Sequence, residues 1–499
     1  MLAPAKKGDS LETNTTTFRC DLRRERSKLA GRRQNRFLRS QTSLHADKGR
    51  EYCEENLTQS VMRIERHGER CRDNLGLVVV QLSDYLSISR PSQAGKFRWR
   101  LGTGCGIVRA LSPMNAQEII YLDNNATTRV DPLVVEAMMP YLTELYGNPS
   151  SGYRFGAQVG EALDTARARV AALLGCEPSE ILFTSCGTES TNAAIQSALL
   201  MDRDRQHIVT TRVEHSATLK HCETLAKRGH EVTWLSVDSV GQIDHAELER
   251  SIRPDTAIVT VMWANNETGV LFPIEEIAAI VRKKGALFHT DAVQAIGKIP
   301  IRLSEFPVNF LSLSGHKLHC PKGVGVLYVN KRTRFHPYLI GGGQEGGKRA
   351  GTQNVASIVA LGKACEIAGE FLEHEATEVR GLRDEFEAGV LARIGGSAIN
   401  GDRENRLPNT CNVAFTDVAS EAVLMLLDQQ GICCSSGSAC TTGSIHASHV
   451  LKAMGFSDSR ARSSLRFSFS RFNTRAEAAR ALEALSQIVE KLRRVAVAA

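Results

Sequence analysis

From Ile119 onward the chain alternates short runs rich in Val, Ile and Phe with stretches of helical periodicity, and this alternation restricts the fold more than any other feature. The runs are Ile181 to Thr184, Ile208 to Thr211, Glu231 to Leu235, Ala257 to Met262, Leu287 to Thr290, Phe310 to Ser312 and Gly325 to Val329. Strands joined through helices run mostly parallel, and a sheet covered on both faces needs apolar residues throughout. The expectation is an α/β fold with a large, mostly parallel-sheet domain. In such sheets ligands bind beyond the C-terminal ends of the strands. Here those ends carry Thr188-Glu189, His215, Asn265-Asn266, Asp291 and His316-Lys317. Five ends with chemically useful side chains point to one site.

After about residue 355 the pattern changes. A long charged helix is expected from about Ala356 through Ile394, followed by strand-like runs at Asn412 to Phe415 and Leu465 to Ser470 and an amphipathic helix from Arg475 to Val495. This reads as a smaller α+β C-terminal domain over residues 356–499, beside a large domain over 114–355 whose first residues pack on the small one. Cys433, Cys434 and Cys440 lie in a Gly- and Ser-rich loop of the small domain, which favours a site between domains.

Residues 1–113 are of another kind. They carry a net charge of +10 against −3 for residues 114–499, so the chain's overall +7 belongs to this extension alone. Arginines 23, 24, 26, 32, 33, 36 and 39 sit among polar residues without apolar periodicity, a pattern of disorder or of a start placed too far upstream. A targeting peptide is disfavoured by the twelve acidic residues, and a nucleic-acid arm by their interleaving with the basic ones. Met114 is therefore the expected beginning of the protein proper, with no nucleic-acid partner. No apolar stretch approaches the roughly 20 residues of a membrane span, so no membrane association is expected. Thirteen cysteines with no secretory signal and no zinc-ribbon spacing suit the reducing cytoplasm. Cys176, Cys222, Cys365 and Cys411 lie in apolar surroundings and read as inert.

The chemistry is suggested by combination. Ser314-Gly-His-Lys317 follows a strand directly, and a lysine desolvated there loses its charge readily, as an imine-forming lysine must. Asp291, ending the preceding strand, is placed to keep a pyridinium nitrogen protonated. Phe183-Thr-Ser-Cys-Gly-Thr-Glu-Ser190 is a strand, a small-residue turn and a helix start, where backbone N–H groups bind phosphate. Together they describe a pyridoxal 5′-phosphate site.

The same residues carry a family resemblance. Tyr121-Leu-Asp-Asn-Asn-Ala-Thr-Thr128, Gly147-Asn-Pro-Ser-Ser151, Thr184-Ser-Cys-Gly-Thr-Glu-Ser190, Glu214-His215, Asn265-Asn-Glu-Thr-Gly269, His289-Thr-Asp-Ala-Val-Gln294, Ser314-Gly-His-Lys317, Gly341-Gly-Gly-Gln-Glu345, Arg349-Ala-Gly-Thr352, Ser435-Ser-Gly-Ser-Ala-Cys440 and Arg466-Phe-Ser468 occur in order across residues 114–499. This part of the chain resembles the cysteine desulfurases of the class-V aminotransferases, in their nitrogen-fixation (NifS-type) branch. The resemblance implies fold-type I architecture, pyridoxal 5′-phosphate as cofactor, conversion of L-cysteine to L-alanine, and sulfur passed as a persulfide to an iron–sulfur scaffold, with nitrogenase maturation as its destination.

It also implies residue roles. Lys317 would hold the cofactor as a Schiff base and shuttle the α-proton; Asp291 would pair with the pyridine nitrogen, His215 stack on the ring, and Gln294 bond the phenolic oxygen. Asn266 would contact cofactor and substrate, and Gly187, Thr188, Ser314 and His316 would hold the phosphate. Thr352 would reach the phosphate of a neighbouring subunit, making a homodimer part of the site. Arg466 would receive the substrate carboxylate. Cys440 would attack the substrate sulfur as a thiolate, and its persulfide would be the only contact with iron or a cluster on a partner. The sequence departs from the usual pattern at Tyr153, at Cys320 and at Ser444-Ile-His-Ala-Ser448, none of them matched catalytic positions. Alternatives are a selenocysteine lyase or the other desulfurase branch, disfavoured by the Ser-Ser-Gly-Ser-Ala-Cys context, a general-purpose desulfurase of the same branch, and a cysteine-rich iron–sulfur scaffold, which has no use for Lys317 and Asp291.

Overall fold

The computed structural model describes residues 119–436 and 447–498. The extension 1–113 and the loop thiol Cys440 lie outside the described residues.

The fold is α/β, as the alternation requires. The strands are β1 (Ile120–Tyr121), β2 (Ile181–Thr184), β3 (His207–Thr211), β4 (Val232–Leu235), β5 (Thr256–Thr260), β6 (Leu287–Asp291), β7 (Phe310–Ser314), β8 (Gly325–Val329), β9 (Ser397–Ile399), β10 (Thr410–Phe415), β11 (Ile432–Cys433) and β12 (Ser464–Ser468). The major sheet has seven strands in the order β2-β8-β7-β6-β5-β3-β4. Only β8 runs antiparallel to its neighbours. All seven apolar runs of the sequence are strands of this sheet. Alternate residues face opposite sides: Ile181, Phe183, Val326 and Tyr328 enter one core and Leu182, Leu327 and Val329 the other. The first core is covered by α1 (Arg154–Leu174), the second by α2 (Gly187–Met201) and α3 (Ser216–Lys227).

The expected helix over 356–394 is interrupted. Helix α4 (Val355–Glu370) packs its apolar residues Ile358, Leu361, Ala364 and Ile367 into the first core beside α1. A π-helical turn at Glu375–Val379 then leads into α5 (Arg380–Arg393), whose Leu382, Phe386 and Val390 belong to a third core. The extra residue of a π turn re-aims the apolar stripe, so one near-continuous helical path serves two cores.

That third core lies against a three-stranded antiparallel sheet, β12-β10-β9. It is closed by α6 (Arg475–Ala498), where Thr474 and Glu477 cap the helix start: Glu477 Oε2 accepts from the Thr474 amide and Thr474 Oγ1 from the Glu477 amide. Ile120 and Leu122 join the same core, because β1 pairs in parallel with β11 rather than with the major sheet. The chain therefore passes Asp123, Asn124 and Asn125 from one sheet to the ends of the other.

Candidate active site

The parallel strands deliver their following residues to one cavity of about 270 Å³. Gly187 and Thr188 follow β2, His215 follows β3, Asn266 follows β5, Asp291 ends β6 with Gln294 just beyond, and Ser314 ends β7 before His316 and Lys317. Arg466 enters from β12. These ten residues, all singled out from the sequence, line the cavity together. Thr352 is not among them; it is exposed on the segment preceding α4.

Lys317 Nζ donates to the carbonyls of Asn125, at 2.5 Å, and Ala126, at 2.8 Å. Asp291 is buried, and its Oδ1 accepts from the Val293 amide at 2.9 Å. Burial raises its pKa, opposed by His215 and Lys317, so the carboxyl has use for a cation in the cavity. His215 Nδ1 accepts from the Ala217 amide at 3.2 Å, and burial lowers its pKa, which keeps the ring neutral. Burial also pushes His316 down to about 4. Arg466 Nη2 pairs with Asp123 Oδ1 at 2.5 Å and Nη1 donates to the Asn266 carbonyl at 2.9 Å, which holds the guanidinium at the cavity wall.

The Aminotransferase class-V family profile matches residues 120–480. A cysteine desulfurase of Nostoc sp. (strain PCC 7120) is 55% identical over 375 residues, covering 75% of this chain and 94% of the relative. Cysteine desulfurase NifS of Azotobacter vinelandii is 54% identical over 377 residues, with 75% and 94% covered. The chain belongs to the cysteine desulfurases of the class-V aminotransferase family. Its fold is that of a solved NifS-like protein, with a TM-score of 0.71 at 39% identity over 74% of this chain and 99% of that one.

This desulfurase is pyridoxal 5′-phosphate-dependent, as its family is, and the cavity's own residues fit that group. A buried carboxyl with no guanidinium or ammonium in its hydrogen-bond shell among the described residues suits a protonated ring nitrogen. At the other end α2 begins without a side-chain cap, leaving its first amides to a ligand. Gly187 stands there because a Cβ would come within 2.8 Å of Val293 Cγ2. Its backbone can form the wall where a side chain would not fit.

The sequence pattern assigns no role to Asn125, Ala126, Cys186, Met262 or Ala264, which also line the cavity. Asn125 is the most connected. Its side chain donates to Thr410 Oγ1 at 2.9 Å and to the Asn266 carbonyl at 3.2 Å, while its carbonyl accepts from Gln294 and Lys317. Its place inside the matched Tyr121–Thr128 motif is the one signal the sequence holds. Among the cysteines read as inert, burial pushes Cys176, Cys222 and Cys365 up to about 12 and raises Cys411 as well. Among the described residues no group of three or more His, Cys, Asp or Glu side chains is placed to hold a metal ion.

Proposed function

We propose that this cavity is the catalytic centre in which the protein converts L-cysteine to L-alanine and transfers the sulfur, with Lys317, Cys440 and His215 as its catalytic residues. The reading is supported above all by the convergence of Lys317, Asp291 and the uncapped start of α2 on one cavity.

Bound pyridoxal 5′-phosphate supplies an electron sink next to the substrate amine. Gly187, Thr188, Ser314 and His316 would hold its phosphate, and Asp291 would keep its ring nitrogen protonated. His215 would stack on the ring, Gln294 would donate to the phenolic oxygen, and Asn266 would contact cofactor and substrate. Lys317 would hold the cofactor through its amine, and the same amine would serve as acid and base for the proton at the substrate Cα. Arg466, already fixed by Asp123 and the Asn266 carbonyl, orients the substrate carboxylate. The Cys440 thiolate then attacks the substrate sulfur, the carbon–sulfur bond breaks, and Cys440 is left as a persulfide while the carbon skeleton departs as alanine. The assignment of Cys440 rests on the sequence. The neighbouring Ser435 exchanges backbone hydrogen bonds with Arg466, and on the far side Ser448 donates to Glu267 and His449 meets the Glu214 carbonyl.

The proposal extends to a homodimer in which Thr352 of one chain reaches the other's phosphate site. The exposure of Tyr338, Leu339 and Ile340 on the segment leading to it supports that arrangement. It further comprises a large cofactor-binding domain from residue 114 to about 355 and a small domain beyond, with α4 docked on the large core. The sulfur acceptor is an iron–sulfur scaffold and the end use nitrogenase maturation. The location is cytoplasmic; among the described residues no helix is long and apolar enough to cross a membrane.

The test is production of alanine and sulfide from L-cysteine with cofactor absorbance followed on the same sample. Cys440→Ser is expected to abolish sulfide release while retaining bound cofactor. Substantial residual release would refute the role of Cys440.

A further inference from the structure

Behind the cavity lies a second buried lysine that the mechanism above does not use. Gly297 has a φ of +70°, and a Cβ there would come within 2.4 Å of Leu318 Cδ2, so this left-handed turn is open to glycine alone. The turn carries the next residue, Lys298, inward, where its side chain is buried. Lys298 Nζ donates to Gln294 Oε1 at 2.9 Å and lies 3.4 Å from Asn125 Oδ1. Gln294 Nε2 in turn donates to the Asn125 carbonyl at 2.9 Å, the same oxygen that accepts from Lys317.

We propose that Lys298 is a positioning residue for the desulfurase reaction, fixing from behind the cavity the amide of Gln294 and the Asn125 segment, and so setting which hydrogen-bonding atoms meet the cofactor and Lys317. The inference rests on the reading of Gln294 as donor to the phenolic oxygen. An amide side chain has two ends of nearly equal shape, one accepting and one donating, and its neighbours decide which way it faces. An ammonium has three donors and no acceptor, so Lys298 claims the oxygen of Gln294 and leaves its NH₂ directed forward. The clamp on Asn125 Oδ1 holds the residue whose carbonyl anchors the Lys317 amine.

The surroundings favour such a role over a plain structural ion pair. Glu375, from the π turn, lines a small second cavity together with Lys298, Lys317 and Arg471, and with His319, whose pKa burial pushes down to about 4, so that these ionisable groups meet at Lys317. Burial pushes Lys298 down to about 7, with Lys317 and Arg466 lowering it further and Glu375 opposing. Burial pushes Glu375 up to about 7 against the pull of Lys298 and Arg471. Apolar residues would fill this space at lower desolvation cost, so buried charges here call for a function.

The holoenzyme tests it through the visible absorbance of the bound cofactor as a function of pH and through the cofactor Kd. Lys298→Met is made together with Glu375→Gln, so that no unpaired carboxylate is buried, and Glu375→Gln alone is the reference. Relative to that reference the pair is expected to move the absorbance midpoint by about one pH unit and to raise the cofactor Kd about tenfold, the size of one charge-assisted hydrogen bond. In a Gln294→Ala background the same pair is expected to add a clearly smaller shift, the part carried through Asn125. Equal shifts with and without Gln294, or loss of the fold in the pair but not in the reference, would show that Lys298 does not act through the amide and would overturn the proposal. A shifted midpoint in Gln294→Ala with none in the pair overturns it alone. No shift in Gln294→Ala overturns it together with the reading of Gln294.

Discussion

The major sheet and the three-stranded sheet both contribute to the cavity, but in different ways. In the major sheet both faces are buried, Ile181, Leu182 and Phe183 being divided between two cores, and the polar side chains within it, such as Thr260, His289 and Ser312, bond one another, so no face is open to a ligand. Function is confined to the ends of the strands and the turns just beyond them. In the smaller sheet one face is apolar and the other polar. Leu465 and Phe467 enter the third core, whereas Ser464, Arg466 and Ser468 bond Asn400, Asp123 and the Asn125 amide. Cys411, Val413 and Phe415 of β10 alternate in the same way with Thr410 and Asn412, which bond Asn125 and the Glu267 carbonyl. The period of two along a strand lets one sheet serve as core and as cavity wall, whereas a fully covered sheet works only from its ends.

Substitutions at the strand ends and on the two faces can break this comparison. The largest effect is expected at an end of the major sheet: Lys317→Ala should abolish turnover with the fold intact, and normal alanine production would overturn the assignment. Next come two neighbours on opposite faces of β12. Arg466→Lys keeps the charge and loses the planar fork, and steady-state kinetics should show kcat/KM for L-cysteine falling about 10- to 100-fold, mainly through KM. Phe467→Ala should cost about 3–5 kcal/mol of stability while kcat/KM per folded molecule stays within a few-fold; denaturant unfolding checks the first and active-site titration the second. If Phe467→Ala changes KM as much as Arg466→Lys does, the two faces are not separate in function.

The smallest effect concerns Glu214. Burial, and secondarily the charge of Asp291, pushes its carboxyl up to about 8 although it accepts from the Met262 amide and Thr211. A folded carboxyl of raised pKa binds more protons than the unfolded chain between its ordinary value and about 8. Its contribution to stability is therefore present at low pH and lost as pH rises through that window. Glu214→Gln should flatten the fall in Tm between pH 5 and 8, and an unchanged slope would place the cause elsewhere.

Much of the molecule is legible in the sequence because the signals are local. The seven apolar runs announce a covered sheet, and ten of the cavity residues follow strands or sit in ordered motifs, so neighbours along the chain are enough to collect them. The features that escape depend on contacts distant in sequence. Asn125 is joined to Asn266, Gln294, Lys317 and Thr410, and nothing around residue 125 announces those partners. The break at Glu375–Val379 lies in a run with no helix breaker; it exists because two cores meet there. Thr352 is near the cavity in the order of motifs but exposed in the single chain.

The sequence by itself thus determined the sheet, its uncharged faces and the types of group that gather at its ends, because periodicity and strand-to-helix order are properties of neighbours along the chain. The tertiary structure alone decided how those groups are held: Arg466 tied to Asp123, and Lys298 set behind Gln294. Burial and hydrogen-bond direction are fixed only when segments far apart in sequence pack together.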